Sequence, residues 1–267
     1  MFDDIKIWVR GAGELGSASA HILYNYGLKV ILSELPTPMA IRRRVTFSDA
    51  ILNGSATVEG VTAQYCQPTE IESTLSKKIL PLLSDSPEII QALPIQVVVD
   101  ARMLKHDIME KAYGSAYVVG LGPGFTVGNN CNVIIETQRG HNLGKIIRRG
   151  SAVPNTGIPG ELGGETKKRL VIAPAAGKVE WQVDSGDIVP ENALIGKVDG
   201  GQPILAPLTG IVRGLISPVV AVTQGLKIGD IDPRGKIVDV NSISDKARSI
   251  GRGVLETILQ FLHKTNG

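Results

Sequence analysis

The chain has 267 residues, 43% hydrophobic and 20% charged, with a formal net charge of +2. That balance fits one or two globular domains and argues against nucleic acid or an anionic membrane surface as partner. Aromatic residues make up 4%, too few for the stacking platforms that hold single strands.

Cys66 and Cys131 form neither a disulfide framework nor a metal-ligand spacing. Asp3 and Asp4 stand where a secretory signal would carry positive charge. No stretch approaches the roughly 18 apolar residues of a membrane span. The expectation is a soluble cytoplasmic protein without bound metal.

In chain order, Ile5 to Arg10 reads as a buried strand ending in a glycine turn, G-A-G-E-L-G, from Gly11 to Gly16. Leu15, Ala18, Ser19, Ile22, Leu23 and Tyr26 recur at helical spacing, which predicts a helix over 14–26 stopped by Gly27. Leu28 to Ser33 is a second apolar strand ending at Glu34. Strand, glycine turn, helix, strand and acid form the context in which G-x-G-x-x-G binds a dinucleotide. Gly11 would permit the tight turn, Gly13 the approach of a phosphate and Gly16 close helix packing, with Glu34 placed for ribose hydroxyls. A glycine turn that merely closes the unit is the bland alternative.

Arg42, Arg43 and Arg44 follow; Arg42 is a candidate for phosphate or carboxylate, weighed against a solvated charged face. Ile95–Val99 closes on Asp100, with Arg102 beyond, and Ala116–Gly120 closes on Gly122 and Gly124. Leu104, Ile108 and Ala112 have helical spacing between them, and Asn132–Glu136 is a further apolar run. Such runs alternating with helices predict a Rossmann-like α/β domain with a parallel sheet over 1–150. Arg139 and His141 beyond the last run are candidates for ligand binding and proton transfer, and Asp100 is the other catalytic candidate.

Residues 151–168 are rich in Gly and Pro and read as a linker or binding loop. From 169 to 241 short β runs carry an internal repeat: Ala173–Val179 matches Ala206–Val212, and Ala193–Asp199 matches Leu226–Asp232, at an offset of 33. The paired A-P-x-x-G half-units resemble the barrel-sandwich hybrid of biotinyl and lipoyl carriers. The tip at Asp199, Gly200 and Gly201 has no lysine to modify, and Lys197 nearby lacks flanking methionines. Residues 242–267 should be helical, capped by Ser244, with Ala247, Ile250, Val254, Leu255, Ile258 and Leu262 on one face. Gly251 and Gly253 would each cost that helix about 1 kcal/mol, which points to close approach of another backbone.

The stretches RGAGELGS, AIRRRVTFSDA, VDARM, LGPGF, ETQRGHNLG, PNTGIPG and GLKIGDIDPRG occur in this order across nearly the whole chain. Together they resemble the selenium-dependent molybdenum hydroxylase system proteins (the YqeB family), and more distantly the XdhC-type chaperones. That resemblance implies an accessory factor that binds and delivers or modifies a molybdopterin-type cofactor. The ligand would be a small phosphate-bearing molecule, such as a dinucleotide (NAD(P) or molybdopterin cytosine dinucleotide). Its partners would be a hydroxylase apoprotein or other maturation proteins, with homo-oligomerisation left open. Two rivals stand beside it: an NAD(P)- or FAD-dependent oxidoreductase, and a structural adaptor that takes no small ligand.

Overall fold

The computed structural model describes residues 5–104, 113–158 and 160–265. It divides into two compact units. The first comprises Met1–Pro36, Thr46–Thr156 and Ile243–Gly267; the second comprises Thr37–Val45 and Gly157–Ser242.

The first unit is built on β1 (Lys6–Arg10), α1 (Glu14–Asn25) and β2 (Lys29–Glu34). A hairpin of β3 (Ser55–Val58) and β4 (Val61–Tyr65) follows the single turn α2 (Ala50–Asn53). Then come α3 (Ile71–Ser76), β5 (Leu80–Ser84), α4 (Ile89–Ala92) and β6 (Val97–Asp100). β7 (Tyr117–Leu121), β8 (Val133–Ile135) and β9 (Ile146–Ile147) complete one nine-stranded sheet, ordered β3-β4-β5-β2-β1-β6-β7-β8-β9.

The strands from β4 to β8 run parallel, whereas β3 and β9 pair antiparallel at the two edges. The chain leaves β1 toward β2 on one side and returns to β6 on the other. The carboxyl ends of β1 and β6 therefore meet at the switch in strand order, where open α/β sheets bind ligands.

The period of two along each strand sorts side chains onto two faces. Ile7, Val9, Val30, Leu32, Val97 and Val99 pack with α1 and with α5 (Asp245–Thr265). All six residues expected on the inner face of α5 are buried. Its glycines mark close approaches: a Cβ on Gly251 would lie 2.7 Å from Ile22 and 3.2 Å from the Ala18 carbonyl, and one on Gly253 would lie 2.6 Å from the Gly144 carbonyl. Ser244 caps the helix by accepting the Ala247 amide at 3.2 Å. On the opposite face Trp8, Ile31, Leu83, Val98, Val118 and Ile134 pack under Ile71, Ile89, Tyr113 and Phe125.

In the second unit, β10 (Leu170–Ile172), β11 (Gly177–Trp181), β12 (Ile188–Val189) and β13 (Leu194–Val198) form one half-repeat. β14 (Gln202–Leu205), β15 (Gly210–Leu215), β16 (Ala221–Val222) and β17 (Lys227–Asp232) form the other. They build two four-stranded sheets, β10-β17-β15-β12 and β14-β13-β11-β16. Shifting each strand by one repeat turns one sheet into the other, so each sheet takes strands from both halves and one core fills the unit. The repeat also fixes a glycine–aspartate pair. A Cβ on Gly177 would strike the Asp199 carboxylate at 2.2 Å, and one on Gly210 the Asp232 carbonyl at 2.3 Å.

The expected Rossmann-like parallel sheet followed by a barrel-sandwich hybrid is corrected here. The large sheet is mixed, because a hairpin and a short returning strand close its edges. Among the described residues only α1 and α5 are longer than two turns, and both lie on one face. On the opposite face the described helices, α3 and α4, have only six and four residues, short of the full crossover helices of a doubly wound fold. The repeat region forms two antiparallel sheets joined by Thr37–Val45 from far earlier in the chain. The expected helix across 104–112 lies almost wholly outside the described residues. No described helix is long and apolar enough to cross a membrane.

Candidate functional site

The three loop glycines have three different reasons. Gly11 has φ +95°, and a Cβ there would stand 3.1 Å from the backbone of Ala101 and Arg102. Gly16 lies so close to the turn before it that a Cβ would sit 1.9 Å from the Gly11 carbonyl. Gly13 is constrained by neither: its backbone is extended (φ −68°, ψ −174°), and a Cβ would meet nothing within 4 Å. It is the N-cap of α1 without a side-chain cap, so the first amides of a 12-residue helix open beside vacant space.

Neighbouring groups clamp this loop from several directions. Gly11 donates its amide to the Ser33 carbonyl at 2.9 Å. The Ser17 hydroxyl donates to the Ala12 carbonyl and accepts the Phe47 amide, each at 2.8 Å. Glu34 accepts the Ala12 amide at 2.9 Å and the Leu35 amide at 2.8 Å. Burial pushes the Glu34 carboxyl above its ordinary value, against the pull of those two amides. The other nearby acid, Glu14, accepts the Ser244 hydroxyl at 2.6 Å.

Behind the loop lies a buried polar network that joins four strand ends. The Trp8 indole donates to Ser33 Oγ at 2.9 Å, and Ser33 donates to Asp85 at 2.7 Å. Arg10 grips Asp85 through Nε and Nη2, both at 3.0 Å. Its Nη1 reaches the Tyr113 hydroxyl at 3.1 Å, and that hydroxyl donates to Asp100 at 2.6 Å. Arg102 forks onto Asp100 at 3.0 and 2.7 Å. Burial and the Asp100 charge together raise the Tyr113 phenol, so it stays protonated. The Asp85 and Asp100 hydrogen bonds keep Arg10 and Arg102 fully charged despite burial.

The structure brings Gly11, Gly13, Gly16, Glu34, Asp100 and Arg102 together. The other expected residues make contacts of their own. Arg42 belongs to the second unit, where its backbone packs on Gly214 and its guanidinium meets the Ser242 carbonyl at 3.2 Å. Gly122 is packed on Thr137, whose hydroxyl oxygen would lie 2.3 Å from a Cβ. The Gly124 carbonyl accepts Asn130 at 2.9 Å. Arg139 pairs with Asp245 at 2.7 and 2.8 Å. His141 is exposed, and among the described residues no hydrogen bond ties it to Glu136 or Arg139.

Glu136 accepts the amides of Thr137, Gln138 and Val153 at 2.7–2.9 Å, which makes it a loop clamp rather than a base. Both cysteines are buried, and burial pushes the Cys131 thiol up to about 12. No group of three or more His, Cys, Asp or Glu among the described residues could hold a metal ion.

Arg10, Asp85 and Tyr113 are the residues that sequence reasoning missed. Arg10 and Asp85 had a faint signal, a charge at the end of an apolar run. Tyr113 had none.

No family model matches the chain. It is 43% identical over 258 residues to the uncharacterized protein YqeB of Escherichia coli K12, covering 96% of this chain and 48% of that protein. The chain therefore spans about half the length of the curated relative it matches. Among solved structures it is similar to an aspartoacylase family protein from Mesorhizobium loti (13% identity, TM-score 0.28, covering 86% and 85% of the two chains). A second is a succinylglutamate desuccinylase/aspartoacylase from Rhodobacter sphaeroides (13% identity, TM-score 0.27, 85% and 84%). Likeness at that level lends no activity to this chain.

The geometry corrects the expectations of a molybdopterin maturation factor, of an NAD(P)- or FAD-dependent oxidoreductase and of Rossmann-type nucleotide binding. Of the two proposed acid–base groups, Asp100 is locked by Arg102 and Tyr113, and His141 is exposed with no hydrogen bond to Glu136 or Arg139 among the described residues. The Ala12 amide is already taken by Glu34, and the second glycine turn is filled by its own neighbours.

Proposed function

We propose that the first unit binds a small anionic, phosphate-bearing ligand at the start of α1. The observation that supports this reading is Gly13. Neither packing nor backbone angle demands glycine there, yet the residue leaves the helix start uncapped and uncovered. An anion at that point would meet the amides of the first helical turn and the positive end of the macrodipole. The two nearby acids are hydrogen-bonded to Ala12, Leu35 and Ser244, which leaves binding rather than proton transfer as the chemistry on offer. The 43% identity to YqeB supports membership of one family with that protein, whose name carries no activity.

Titration with inorganic phosphate at low ionic strength, followed by amide NMR, tests the reading. Saturable binding at about the millimolar level is expected for a single helix-terminus anion, and Gly13→Val should abolish it with no more than the small loss of stability that a poorer N-cap brings. Absence of saturation in the wild type, or unchanged binding in Gly13→Val, would refute it.

A further inference from the structure

We infer that Tyr113 is the positioning residue of the Gly11–Gly16 loop, acting through its hydroxyl on the ends of β1 and β6; the inference rests on the anion-binding reading above. A phenolic hydroxyl offers one donor and two acceptor positions. Here the donor goes to Asp100 Oδ2 at 2.6 Å, and the acceptor positions take Arg10 Nη1 at 3.1 Å and Arg102 Nη2 at 3.3 Å. One buried oxygen thus uses its whole bonding capacity to join two guanidinium groups and a carboxylate from neighbouring strand ends.

Those are the residues on which the loop is seated. Arg10 immediately precedes Gly11, and its carbonyl accepts the Ala101 amide at 2.8 Å. The backbone of Ala101 and Arg102 forms the surface against which Gly11 turns, at 3.1 Å from its Cβ position. The course of that surface is set by the Asp100–Arg102 fork and by the Arg102 amide donating to Asp100 at 3.2 Å. Remove the hydroxyl, and the like charges of Arg10 and Arg102 lose the oxygen that both donate to. Asp100 Oδ2 then keeps Arg102 as its partner, and the side-chain tie across the two strand ends is lost while their backbone pairing, Arg10 with Asp100 and Ala101, remains.

Phenylalanine isolates this role. The ring is edge-on to Trp8 with centroids 5.9 Å apart, and Arg10 lies over both rings, 5.4 Å from the Trp8 centroid and 5.9 Å from that of Tyr113. Tyr113→Phe keeps these contacts and deletes only the oxygen. The experiment is amide NMR of the full chain, wild type and Tyr113→Phe, without and with inorganic phosphate.

Without phosphate, the Gly11 and Ala12 resonances should move in Tyr113→Phe while those of Gly200 and Gly201 in the second unit stay fixed. With phosphate, the variant should bind about tenfold more weakly, the scale of one buried hydrogen bond. Unmoved Gly11 and Ala12 resonances overturn the inference whether or not phosphate binds. Moved resonances with wild-type phosphate affinity also overturn it, because the displacement would then not reach the anion site. Moved resonances in a wild-type background that takes no phosphate overturn the anion-binding reading instead. If Tyr113→Phe does not fold, Arg102→Lys removes the planar fork but keeps the charge and should displace the same two resonances; unmoved ones overturn the inference there as well.

Discussion

Gly16→Ala and Gly13→Ala are the same chemical change three residues apart, and the structure assigns them opposite outcomes. At Gly16 the new methyl would sit 1.9 Å from the Gly11 carbonyl oxygen and 3.1 Å from Ala101 Cβ. The first of these is about 1.5 Å short of contact distance. The obstructing atom is backbone, in a turn already fixed at φ +95° and hydrogen-bonded to Ser33, so no flexible side chain can yield. Overpacking of that kind costs about 3 kcal/mol. Alanine's better helix propensity returns about 1 kcal/mol. The net loss of about 2 kcal/mol should lower the melting temperature by about 4–8 °C for a chain of this size. Gly13→Ala meets nothing within 4 Å in an extended backbone, so only the cap preference changes, by less than about 1 kcal/mol. Thermal and urea melts of the two variants decide the matter. A Gly16→Ala protein as stable as the wild type, or a Gly13→Ala protein that loses as much as Gly16→Ala, would refute the reasoning.

Other outcomes follow from the same contacts. Gly253→Ala, facing the Gly144 carbonyl at 2.6 Å, should destabilise by about 1–3 kcal/mol. Gly251→Ala meets the flexible tip of Ile22 at 2.7 Å and the Ala18 carbonyl no closer than 3.2 Å, so it should cost less in a paired melt, and equal losses would contradict this. Asp232→Asn strips the Arg234 fork at 2.9 and 2.7 Å and leaves Arg213 beside a neutral group. A loss of about 2 kcal/mol or more is expected in urea titration. Because Arg234 and Arg213 hold the Asp232 carboxyl below its ordinary value, its contribution is complete above the unfolded value near 4 and fades as pH falls below it.

Glu34 has the opposite sign. Its raised carboxyl favours the folded state at pH values below its unfolded value, and that stabilisation is lost as pH rises through the folded one. Glu34→Gln should therefore gain on the wild type as pH climbs from about 4, and a constant difference in the melts would contradict this. Cys131, buried and pushed up to about 12 from 9.0, should resist a thiol reagent at pH 8 in the native protein. It should react once the chain unfolds, and rapid native labelling would disprove its seclusion. The native thiol's favourable share of stability is complete below the unfolded value and declines as pH rises beyond it.

Much of the first unit could be read from short-range pattern. The glycine turn between two apolar runs placed β1, α1 and β2 within a residue or two, because the periods of 2 and 3.6 are visible in neighbouring side chains. The amphipathic face of α5 was equally plain, and its two glycines do face a neighbouring backbone. β5 escaped because Pro81 lies inside it, between Leu80 and Leu82, where proline argues against a central strand. In the candidate site, Gly11, Glu34 and Asp100 were visible as a turn residue and as acids at strand ends. The partnership of Asp85 and Tyr113 with Arg10 was not, because it spans 75 and 103 residues of sequence.

The sequence alone determined the elements with a local period, the internal repeat and the existence of a tight glycine turn, since each depends on residues a few positions apart. Tertiary structure decided everything that depends on which strand ends meet. Only the fold shows that the turn before α1 is closed on one side by Glu34 and seated on Ala101 and Arg102. It also shows that Arg42 lies in another unit and that the second glycine turn is filled by Thr137. The physical reason is that an opening is defined by what does not occupy it. Gly11, Gly13 and Gly16 are the same letter in the sequence, and only the atoms around them show that one forms a turn, one packs a helix and one leaves space.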